Sequence, residues 1–410
     1  MGKRTDFLYL SEEDMIKAGV LDYARCIDVE EEIFGLLSKD DYRMGGAKYN
    51  SHGIAVSFPK ESDNPGMPLD APDRRFLAMP GYLGGRFHIA GMKWYGSNIT
   101  NPQIGLPRSV LMVMLNNVET GEPVALMSAN LVSSVRTGCV PGVGTRHLAR
   151  KGAEVLACIG AGPVSKACFE AIRIEAKDLK EVLIFDIIEE KAQAFADEVT
   201  KKYGLKASAA ASLEEAVRPA DIVSVAASSV RPVNLKNEWL KKGSLVIMTG
   251  RCNVDEEYYS SAKIIWDNPK MHDVYYDEHL LLPEDKRFIN GIGVQIYRMV
   301  YEGKLPALLD QPGLGDVILG TREGRTSDDD RILFIAGGMV IWDLGWSYEM
   351  LENARKMGLG VSLNLWTDPY LAGPVKPFSG LSWHHRERAF IFILTSVFQR
   401  VIFNKTVEGE

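Results

Sequence analysis

The residues from 155 to 186 carry the clearest chemical pattern of this chain. A short apolar run, 155–159, leads into a glycine turn and a helix-like pattern, and a second apolar run ends at Asp186. Strand, glycine turn, helix, strand and acid in this order form the unit that binds a dinucleotide. Gly160 permits the tight turn, and Gly162 lets the backbone approach a pyrophosphate at the N-terminus of the helix. Ser165 stands at the position of the third glycine of the pattern.

The acid at the end of the second run predicts which cofactor binds. Asp186 can accept hydrogen bonds from the ribose hydroxyls of an adenosine, and its charge repels a 2′-phosphate, which favours NAD(H) over NADP(H). Ser228 follows a later apolar run, 222–226, where the nicotinamide should lie. A strand-turn-helix that binds no nucleotide is the alternative. The predicted cofactor-binding residues are Gly160, Ala161, Gly162, Pro163, Val164, Asp186 and Ser228.

The composition argues against several classes of partner. The net charge of −7 argues against binding nucleic acid or an anionic membrane, although a local basic cluster can still hold a small anion. The five cysteines include no Cys-x-x-Cys pair and the histidines have no metal-site spacing, so we expect a reducing cytoplasm and no metal. The N-terminus lacks the apolar core of a signal peptide. The apolar stretch 389–403 is shorter than the roughly 20 residues that span a bilayer, so we expect no membrane span. It is predicted to pack on the protein or a partner subunit, with docking on a membrane surface as the alternative.

The elements around these residues divide into two kinds. Before residue 150 the patterns predict an α+β region, with a strand at 7–10, a helix that Ser11 and Asp14 cap, a second helix at 29–37 and an antiparallel hairpin of 110–115 with 124–127. From residue 155 strands and helices alternate, which favours a parallel, doubly wound α/β sheet. A helix capped by Ser212 begins near residue 213, and another runs from about 337 to 357. The candidate strands of this sheet are 155–159, 182–186, 222–226, 245–249, 263–266 and 332–336.

A set of motifs upstream of the glycine turn carries a family resemblance. In order and spacing, the chain resembles the ornithine cyclodeaminase/mu-crystallin family over roughly residues 5 to 370. Within it the chain is similar to a bacterial branch known as ornithine cyclodeaminase or as the second subunit of a tyramine oxidase. The motifs are Asp41-Tyr42-Arg43-Met44-Gly45-Gly46, Gly91-Met92-Lys93-Trp94-Tyr95-Gly96-Ser97-Asn98, Gly105-Leu106-Pro107-Arg108, Leu115-Asn116, Thr120-Gly121, Ser134-Val135-Arg136-Thr137-Gly138 and Gly160-Ala161-Gly162.

The resemblance implies a discontinuous arrangement of two lobes. Residues 1–142 together with 343–410 would form an α+β lobe that binds substrate and makes a homodimer. Residues 143–342 would form a Rossmann, NAD-binding domain inserted between those two parts. The active site would lie in the cleft between the lobes.

The resemblance also implies how a substrate is held. Arg43, Lys93 and Arg136 match the family positions that bind the α-carboxylate, and arginine offers a bidentate fork for such a group. A buried ammonium near two guanidinium groups has a lowered pKa, so Lys93 could also exchange a proton with the substrate nitrogen. Gly338 is expected to bring backbone close to the substrate, and Asp343 is expected to be structural. Three solvated surface cations are the alternative.

One position departs from the cyclodeaminases of the family. Their strand after the nicotinamide site ends in a Gly-Asp-Cys-Pro type sequence, whose aspartate handles the distal amine of the substrate during ring closure. This chain has Arg251 at that place, followed by Cys252. A guanidinium accepts no proton and repels an ammonium, so Arg251 is a second candidate catalytic residue and argues against ornithine cyclisation. It favours plain amine or imine redox chemistry, or a substrate with a second anionic group, unless it points to solvent or a phosphate.

These observations together predict an NAD(H)-dependent oxidoreductase that acts on the C–N bond of a small amino or imino acid. The chemistry expected is that of an amino acid dehydrogenase or imine reductase. Three alternatives stay open. They are an ornithine cyclodeaminase that recycles its NAD, a mu-crystallin-like protein that binds ligands without turnover, and an accessory subunit of an amine oxidase.

Overall fold

The fold is given by a computed structural model that describes residues 2–227 and 231–372. Ser228 and the apolar stretch 389–403 lie outside these residues. The chain divides into two units, residues 7–363 and residues 1–6 with 364–410. In the smaller unit, the indole Nε1 of Trp366 donates to Lys3 O at 3.2 Å, and Asn364 Nδ2 donates to Asp6 Oδ1 at 2.7 Å.

The strands alternate with helices in the second half of the chain but follow one another in the first half. In chain order the strands of the described residues are β1 (Thr5–Leu10), β2 (Tyr42–Met44), β3 (Ile54–Val56), β4 (Arg75–Leu83), β5 (Ile89–Ser97), β6 (Ser109–Asn117), β7 (Pro123–Ser128), β8 (Val155–Ile159), β9 (Glu181–Phe185), β10 (Lys206–Ala209), β11 (Ile222–Val225), β12 (Val233–Leu235), β13 (Leu245–Met248), β14 (Cys252–Val254), β15 (Lys263–Trp266), β16 (Ile332–Ile335) and β17 (Val361–Trp366).

The helices range from one turn to five turns. They are α1 (Glu12–Lys17), α2 (Tyr23–Ser38), α3 (Asn130–Leu148), α4 (Pro163–Glu175), α5 (Glu189–Tyr203), α6 (Leu213–Val217), α7 (Glu256–Ser261), α8 (Pro269–Leu280), α9 (Val294–Tyr301), α10 (Leu314–Ile318) and α11 (Val340–Met357). In the part of the chain that the structure describes, none has the length and apolarity needed to cross a membrane.

The first sheet is mostly antiparallel and has the strand order β17-β1-β7-β6-β5-β4-β2, with β3 beside β4. The pair of β6 and β7 is the antiparallel hairpin predicted from the sequence, and β1 joins it in parallel. The alternation of buried and exposed residues in β6 shows that one face of this sheet is covered and the other is open.

The second sheet has seven strands in the order β10-β9-β8-β11-β13-β16-β15, and every pairing in it is parallel. Its strands are almost continuously apolar because helices cover both faces. The order reverses between β8 and β11, which creates the crevice where doubly wound sheets bind ligands. The predicted fold class, a Rossmann-type parallel sheet with a separate sheet built largely from the N-terminal part of the chain, is confirmed.

Helix α3 lies between the two sheets and packs on both β6 and α4. Asn130 fixes its first turn to β6, since the side chain accepts from Leu111 N at 2.8 Å and donates to Ser109 O at 2.9 Å. A Cβ on Gly138 would lie 2.3 Å from Ala167 O in α4. The glycine that follows Arg136 in the motif is therefore required for the close approach of these two helices.

Helix α11 returns from the parallel sheet to the first sheet and packs on β4, β5, α2 and α3. A Cβ on Gly91 in β5 would lie 2.8 Å from a methyl of Leu344 and 2.4 Å from Met114 O. This close packing brings the first turn of α11 against the centre of β5. The sheet, α3 and α11 thus pack on one another.

Most predicted elements agree with the structure, with a few differences. Helix α2 begins at Tyr23, six residues earlier than the predicted 29, because Asp22 caps it by accepting from Arg25 N at 3.0 Å. Strand β10 was not predicted, since Lys-Ala-Ser-Ala has none of the β-branched or aromatic residues that mark a strand. Ser212 caps α6 as expected and accepts from Glu215 N.

Candidate active site

The turn after β8 has the geometry that a bound pyrophosphate requires. Gly160 has a φ of +106°, and a Cβ there would lie 3.0 Å from the Cα of Ala227. Gly162 immediately precedes α4, and a Cβ built on it would meet no described atom within 4 Å. Glycine is therefore needed at 160 for conformation, whereas at 162 its small size leaves open space next to a helix N-terminus.

This space belongs to a cleft of about 580 Å³ at the carboxyl ends of the parallel strands. Gly160, Gly162, Pro163, Val164 and Asp186 line it, and an apolar wall is added by Ile187, Ile188 and Leu213. Ile187 is 87% exposed, which is unusual for an isoleucine and gives the cleft a surface on which a flat aromatic base can rest. The residues present fit a dinucleotide.

Asp186 stands at the mouth of the cleft with its carboxylate bonded to backbone. Oδ2 accepts from Ala161 N at 2.8 Å, and Oδ1 accepts from Ile188 N at 2.9 Å. The acid therefore also ties the glycine turn after β8 to the end of β9. This second task was not predicted from the sequence.

Three charged side chains from three different elements meet in the interior. Lys93 Nζ in β5 lies 2.7 Å from Asp343 Oδ2 in α11, and Arg136 Nε in α3 lies 3.2 Å from Asp343 Oδ1. The exposed fractions of the side chains are 4% for Lys93, 7% for Arg136 and 0% for Asp343. These three side chains carry two positive charges and one negative charge.

The pKa of Lys93 is lowered from its ordinary value to about 8. Burial is the main cause, and the nearby charge of Arg136 adds to it, while Asp343 opposes the shift. The lowered pKa was expected from burial and two neighbouring arginines; the structure gives burial and one arginine, Arg136, as its causes. Lys93 can thus gain or lose a proton near neutral pH.

The guanidinium of Arg136 has an unused donor. Its Nη1 is buried and has no hydrogen-bond partner among the described residues, although a buried charged donor of this kind is costly to leave unpaired. Gly338, with a φ of +76°, lies against this atom, and a Cβ on it would be 2.9 Å from Nη1. Gly338 therefore packs against Nη1 with bare backbone, and a larger residue there would press on this donor.

His52 completes this side of the cluster. Its Nδ1 lies 3.1 Å from Gly338 O, so the ring donates from Nδ1 and presents Nε2 as an acceptor. Burial and the charges of Lys93 and Arg136 lower the pKa of His52 to about 4. The imidazole is therefore neutral at physiological pH. Nothing in the local sequence around His52 distinguishes it from a loop histidine.

A model of the ornithine cyclodeaminase/mu-crystallin family matches residues 20–358. The chain belongs to the ornithine cyclodeaminase/mu-crystallin family. The family resemblance found in the sequence motifs is thereby confirmed.

Several curated relatives are named as amino acid dehydrogenases or imino acid reductases. The chain is 30% identical to an alanine dehydrogenase of Archaeoglobus fulgidus, over 81% of this chain and 95% of that one. It is 29% identical to the N-((2S)-2-amino-2-carboxyethyl)-L-glutamate dehydrogenase of Staphylococcus aureus, over 71% of this chain and 82% of that one. Among solved structures, an archaeal alanine dehydrogenase dimer with bound NAD superposes with a TM-score of 0.71 at 27% identity, covering 88% of this chain and all of the other.

Of the residues that the family resemblance assigned to the substrate, the structure brings together Lys93, Arg136 and Gly338. Arg43 lies in β2, is exposed, and donates from Nη1 to Asp40 O at 2.8 Å and to Tyr42 O at 2.5 Å. In the described conformation these backbone carbonyls bind the guanidinium of Arg43, which does not lie with the other two cations. The predicted role of Arg43 in substrate binding stays a prediction.

Arg251 is half-buried at the start of β14 and lines a separate cavity of about 410 Å³. Its Nη2 donates to Ile289 O at 3.1 Å. This cavity shares Pro232 and Asn234 with the cleft at the glycine turn, so the two are neighbours. The catalytic role predicted for Arg251 stays a prediction.

Two acids in or near the cluster of Lys93 and Arg136 have roles that sequence reasoning missed. Asp343 was expected to be structural but is the shared counter-ion of Lys93 and Arg136. Asp267 follows β15, and its carboxylate binds the backbone of Gly337 and Gly338. Its position directly after a parallel strand was an available signal, since such ends gather at the crevice of the sheet. No group of metal-ligating side chains occurs within residues 2–227 and 231–372.

Proposed function

We propose that the protein is an NAD(H)-dependent oxidoreductase that acts on the C–N bond of a small amino or imino acid. The observation that carries this proposal is the buried, unpartnered Nη1 of Arg136, which belongs to the same cluster as Lys93 and contacts the backbone of Gly338. A carboxylate is the group that a guanidinium with a free donor best recognises. Similar proteins support this chemistry. They include an alanine dehydrogenase, the N-((2S)-2-amino-2-carboxyethyl)-L-glutamate dehydrogenase and a Δ1-pyrroline-2-carboxylate reductase.

The dinucleotide would be held by the glycine turn, the N-terminus of α4 and Asp186. Open space at Gly162 accommodates phosphate, and the carboxylate of Asp186 favours free ribose hydroxyls over a 2′-phosphate. When bound, the cofactor supplies hydride exchange with the carbon of the C–N bond. The remaining chemistry is the task of the protein side chains.

Arg136 and Lys93 would hold and orient the substrate. Arg136 Nη1 donates to the carboxylate while Nε stays on Asp343, so the guanidinium cannot rotate away. Lys93, with a pKa of about 8, gives a proton to the substrate nitrogen on reduction and takes one on oxidation. Neutral His52 adds no further positive charge and fixes the carbonyl of Gly338.

The test is a panel assay with purified protein. NADH is offered with 2-oxo acids plus ammonia or methylamine and with cyclic imino acids, and amino acids including ornithine are offered with NAD. We expect NADH consumption matched by formation of an amino acid identified by mass spectrometry. Proline and ammonia from ornithine without net NADH would identify a cyclodeaminase, and binding of NADH without turnover of any substrate would identify a binding protein. Either result would overturn the proposal.

The assembly and location of the protein are also part of this proposal. The open face of the first sheet carries large exposed apolar residues, including a stacked pair of Phe76 and Trp94 with centroids 5.8 Å apart. Such a face favours a second copy of this chain as its cover, that is, a homodimer.

The five cysteines are all free and buried, which fits a reducing cytoplasm. The lobe boundaries, 1–142 with 343–410 and 143–342, remain a proposal as well.

A further inference from the structure

Both carboxylate oxygens of Asp267 accept hydrogen bonds. Oδ2 accepts from Gly337 N at 2.7 Å and from Gly338 N at 3.0 Å. Oδ1 accepts from His272 Nε2 at 2.9 Å and from Asn268 N at 2.8 Å. Asp267 is 2% exposed, so these four bonds replace its hydration.

His272 and Tyr297 hold this carboxylate from behind. His272 is 1% exposed, and its Nδ1 lies 2.5 Å from Tyr297 Oη. Since Nε2 donates to Asp267, Nδ1 is the acceptor and the tyrosine hydroxyl is its donor. The indole of Trp266 packs on the His272 ring with centroids 4.3 Å apart, which limits the movement of the imidazole. The chain Tyr297–His272–Asp267 therefore ends on the backbone of the glycine pair.

The glycine pair forms one wall of the substrate cluster. Gly338 has a left-handed backbone, with a φ of +76°, and a Cβ on it would lie 2.9 Å from Arg136 Nη1. Its carbonyl is bonded by His52. The N–H groups of Gly337 and Gly338 both donate to Oδ2 of Asp267, and these two bonds hold the turn in its observed conformation.

We propose that Asp267 is a positioning residue for substrate binding, with His272 as the side chain that orients it. By holding the N–H groups of Gly337 and Gly338, Asp267 keeps the turn in the conformation that packs bare backbone against Arg136 Nη1, and so fixes where this donor meets a carboxylate. This inference rests on the proposed function, because it assigns the purpose of the turn to the same site. Neither Asp267 nor His272 touches the substrate in this account.

The first test is Asp267→Asn, which keeps the shape but turns one acceptor oxygen into a donor that faces N–H groups. We expect KM for the carboxylate substrate to rise roughly tenfold to hundredfold, as for loss of a charge-assisted hydrogen bond, with kcat and NADH affinity within about threefold. Asp221→Asn is the matched control. Asp221 is also 2% exposed and binds two backbone N–H groups, of Glu154 and Val155, at the opposite end of β8.

Asp221→Asn should lower the melting temperature and leave KM unchanged. If both variants keep the wild-type KM and both have a lowered melting temperature, Asp267 only stabilises the fold and the inference is wrong. A wild-type protein that turns over no amino or imino acid would instead refute the proposed function, so the two failures are distinguishable.

A second pair of variants keeps the inference testable if Asp267→Asn does not fold. His272→Gln places an amide donor where Nε2 stands, whereas His272→Leu removes the donor. We expect His272→Gln to retain KM within about threefold and His272→Leu to raise it roughly tenfold, the value of one hydrogen bond to a charged group. The same KM in the two His272 variants would contradict the positioning of Asp267 by His272.

Discussion

Replacement of Gly338 by alanine is the sharpest perturbation of the proposed carboxylate site. The residue has a φ of +76°, where an L-amino acid with a Cβ is strained by roughly 1–2 kcal/mol. The added methyl would lie 2.9 Å from Arg136 Nη1, which is closer than non-bonded contact allows. Because Nη1 is at the end of a side chain, it can shift by a few tenths of an ångström, so this contact costs little stability. The displaced donor, however, no longer meets the carboxylate.

The expected magnitude follows from the bond that is lost. A hydrogen bond to a charged group contributes about 1.5–3 kcal/mol, so KM for the amino or imino acid should rise roughly 10- to 150-fold. NADH affinity should hardly change, because the glycine turn and Asp186 are untouched. The assay is steady-state kinetics with NADH saturating, together with NADH titration by fluorescence.

Gly204→Ala is the matched control for backbone strain. Gly204 ends α5 with a φ of +66°, and a Cβ on it would meet no described atom within 4 Å. It should lose a similar 1 kcal/mol or so of stability, with KM unchanged. If Gly338→Ala destabilises the protein as Gly204→Ala does but keeps the wild-type KM, then Arg136 Nη1 does not bind substrate and the reasoning fails.

The remaining predictions concern the proton, the cofactor and the substrate. Lys93 is charged below its pKa of about 8, so kcat/KM for reduction should fall as pH rises through about 8 and that for amine oxidation should rise. Arg136→Met should move this break to higher pH, and a profile that is flat from roughly pH 6 to 10 would exclude Lys93 as the proton donor. NADH should bind at least about tenfold more tightly than NADPH, a difference of about 1.4 kcal/mol by titration calorimetry. Asp186→Ser should reduce this difference in affinity and also weaken NADH binding, since the hydrogen bond to Ala161 N is lost. Equal affinities of the wild type for NADH and NADPH would contradict the role of Asp186 in cofactor choice. Arg251 should prevent ornithine cyclisation, so efficient formation of proline would show that another acid replaces the missing aspartate.

The nucleotide-binding half of this molecule was largely predictable because its signals are local. The strand, the glycine turn, α4, the next strand and Asp186 follow one another within about thirty residues, and each has a mechanism that a sequence displays directly. Strand boundaries agreed within a residue or so where the strands are continuously apolar, as in β8 and β13. Strand β10 was missed because packing on β9, rather than composition, keeps it extended.

The cluster of Lys93, Arg136 and Asp343 was only partly predictable because its contacts join distant parts of the chain. Lys93 and Asp343 are 250 positions apart, and Arg136 and Asp343 are 207 apart. The family motifs indicated both cations, yet neither periodicity nor spacing shows that α11 places a carboxylate between them. His52 and Asp267 reach the cluster through hydrogen bonds to the backbone of Gly337 and Gly338, and no residue pattern specifies the left-handed conformation of Gly338.

The most direct test of the central claim compares one imine with and without its carboxylate. Wild-type protein with NADH is assayed on Δ1-pyrroline-2-carboxylate and on Δ1-pyrroline, beside the variant Arg136→Met. If Arg136 and Lys93 bind the α-carboxylate, the wild type should prefer the carboxylated imine by roughly 2–5 kcal/mol in kcat/KM, and most of that preference should disappear in the variant. Equal rates on the two imines in the wild type, or an undiminished preference in Arg136→Met, would contradict the account.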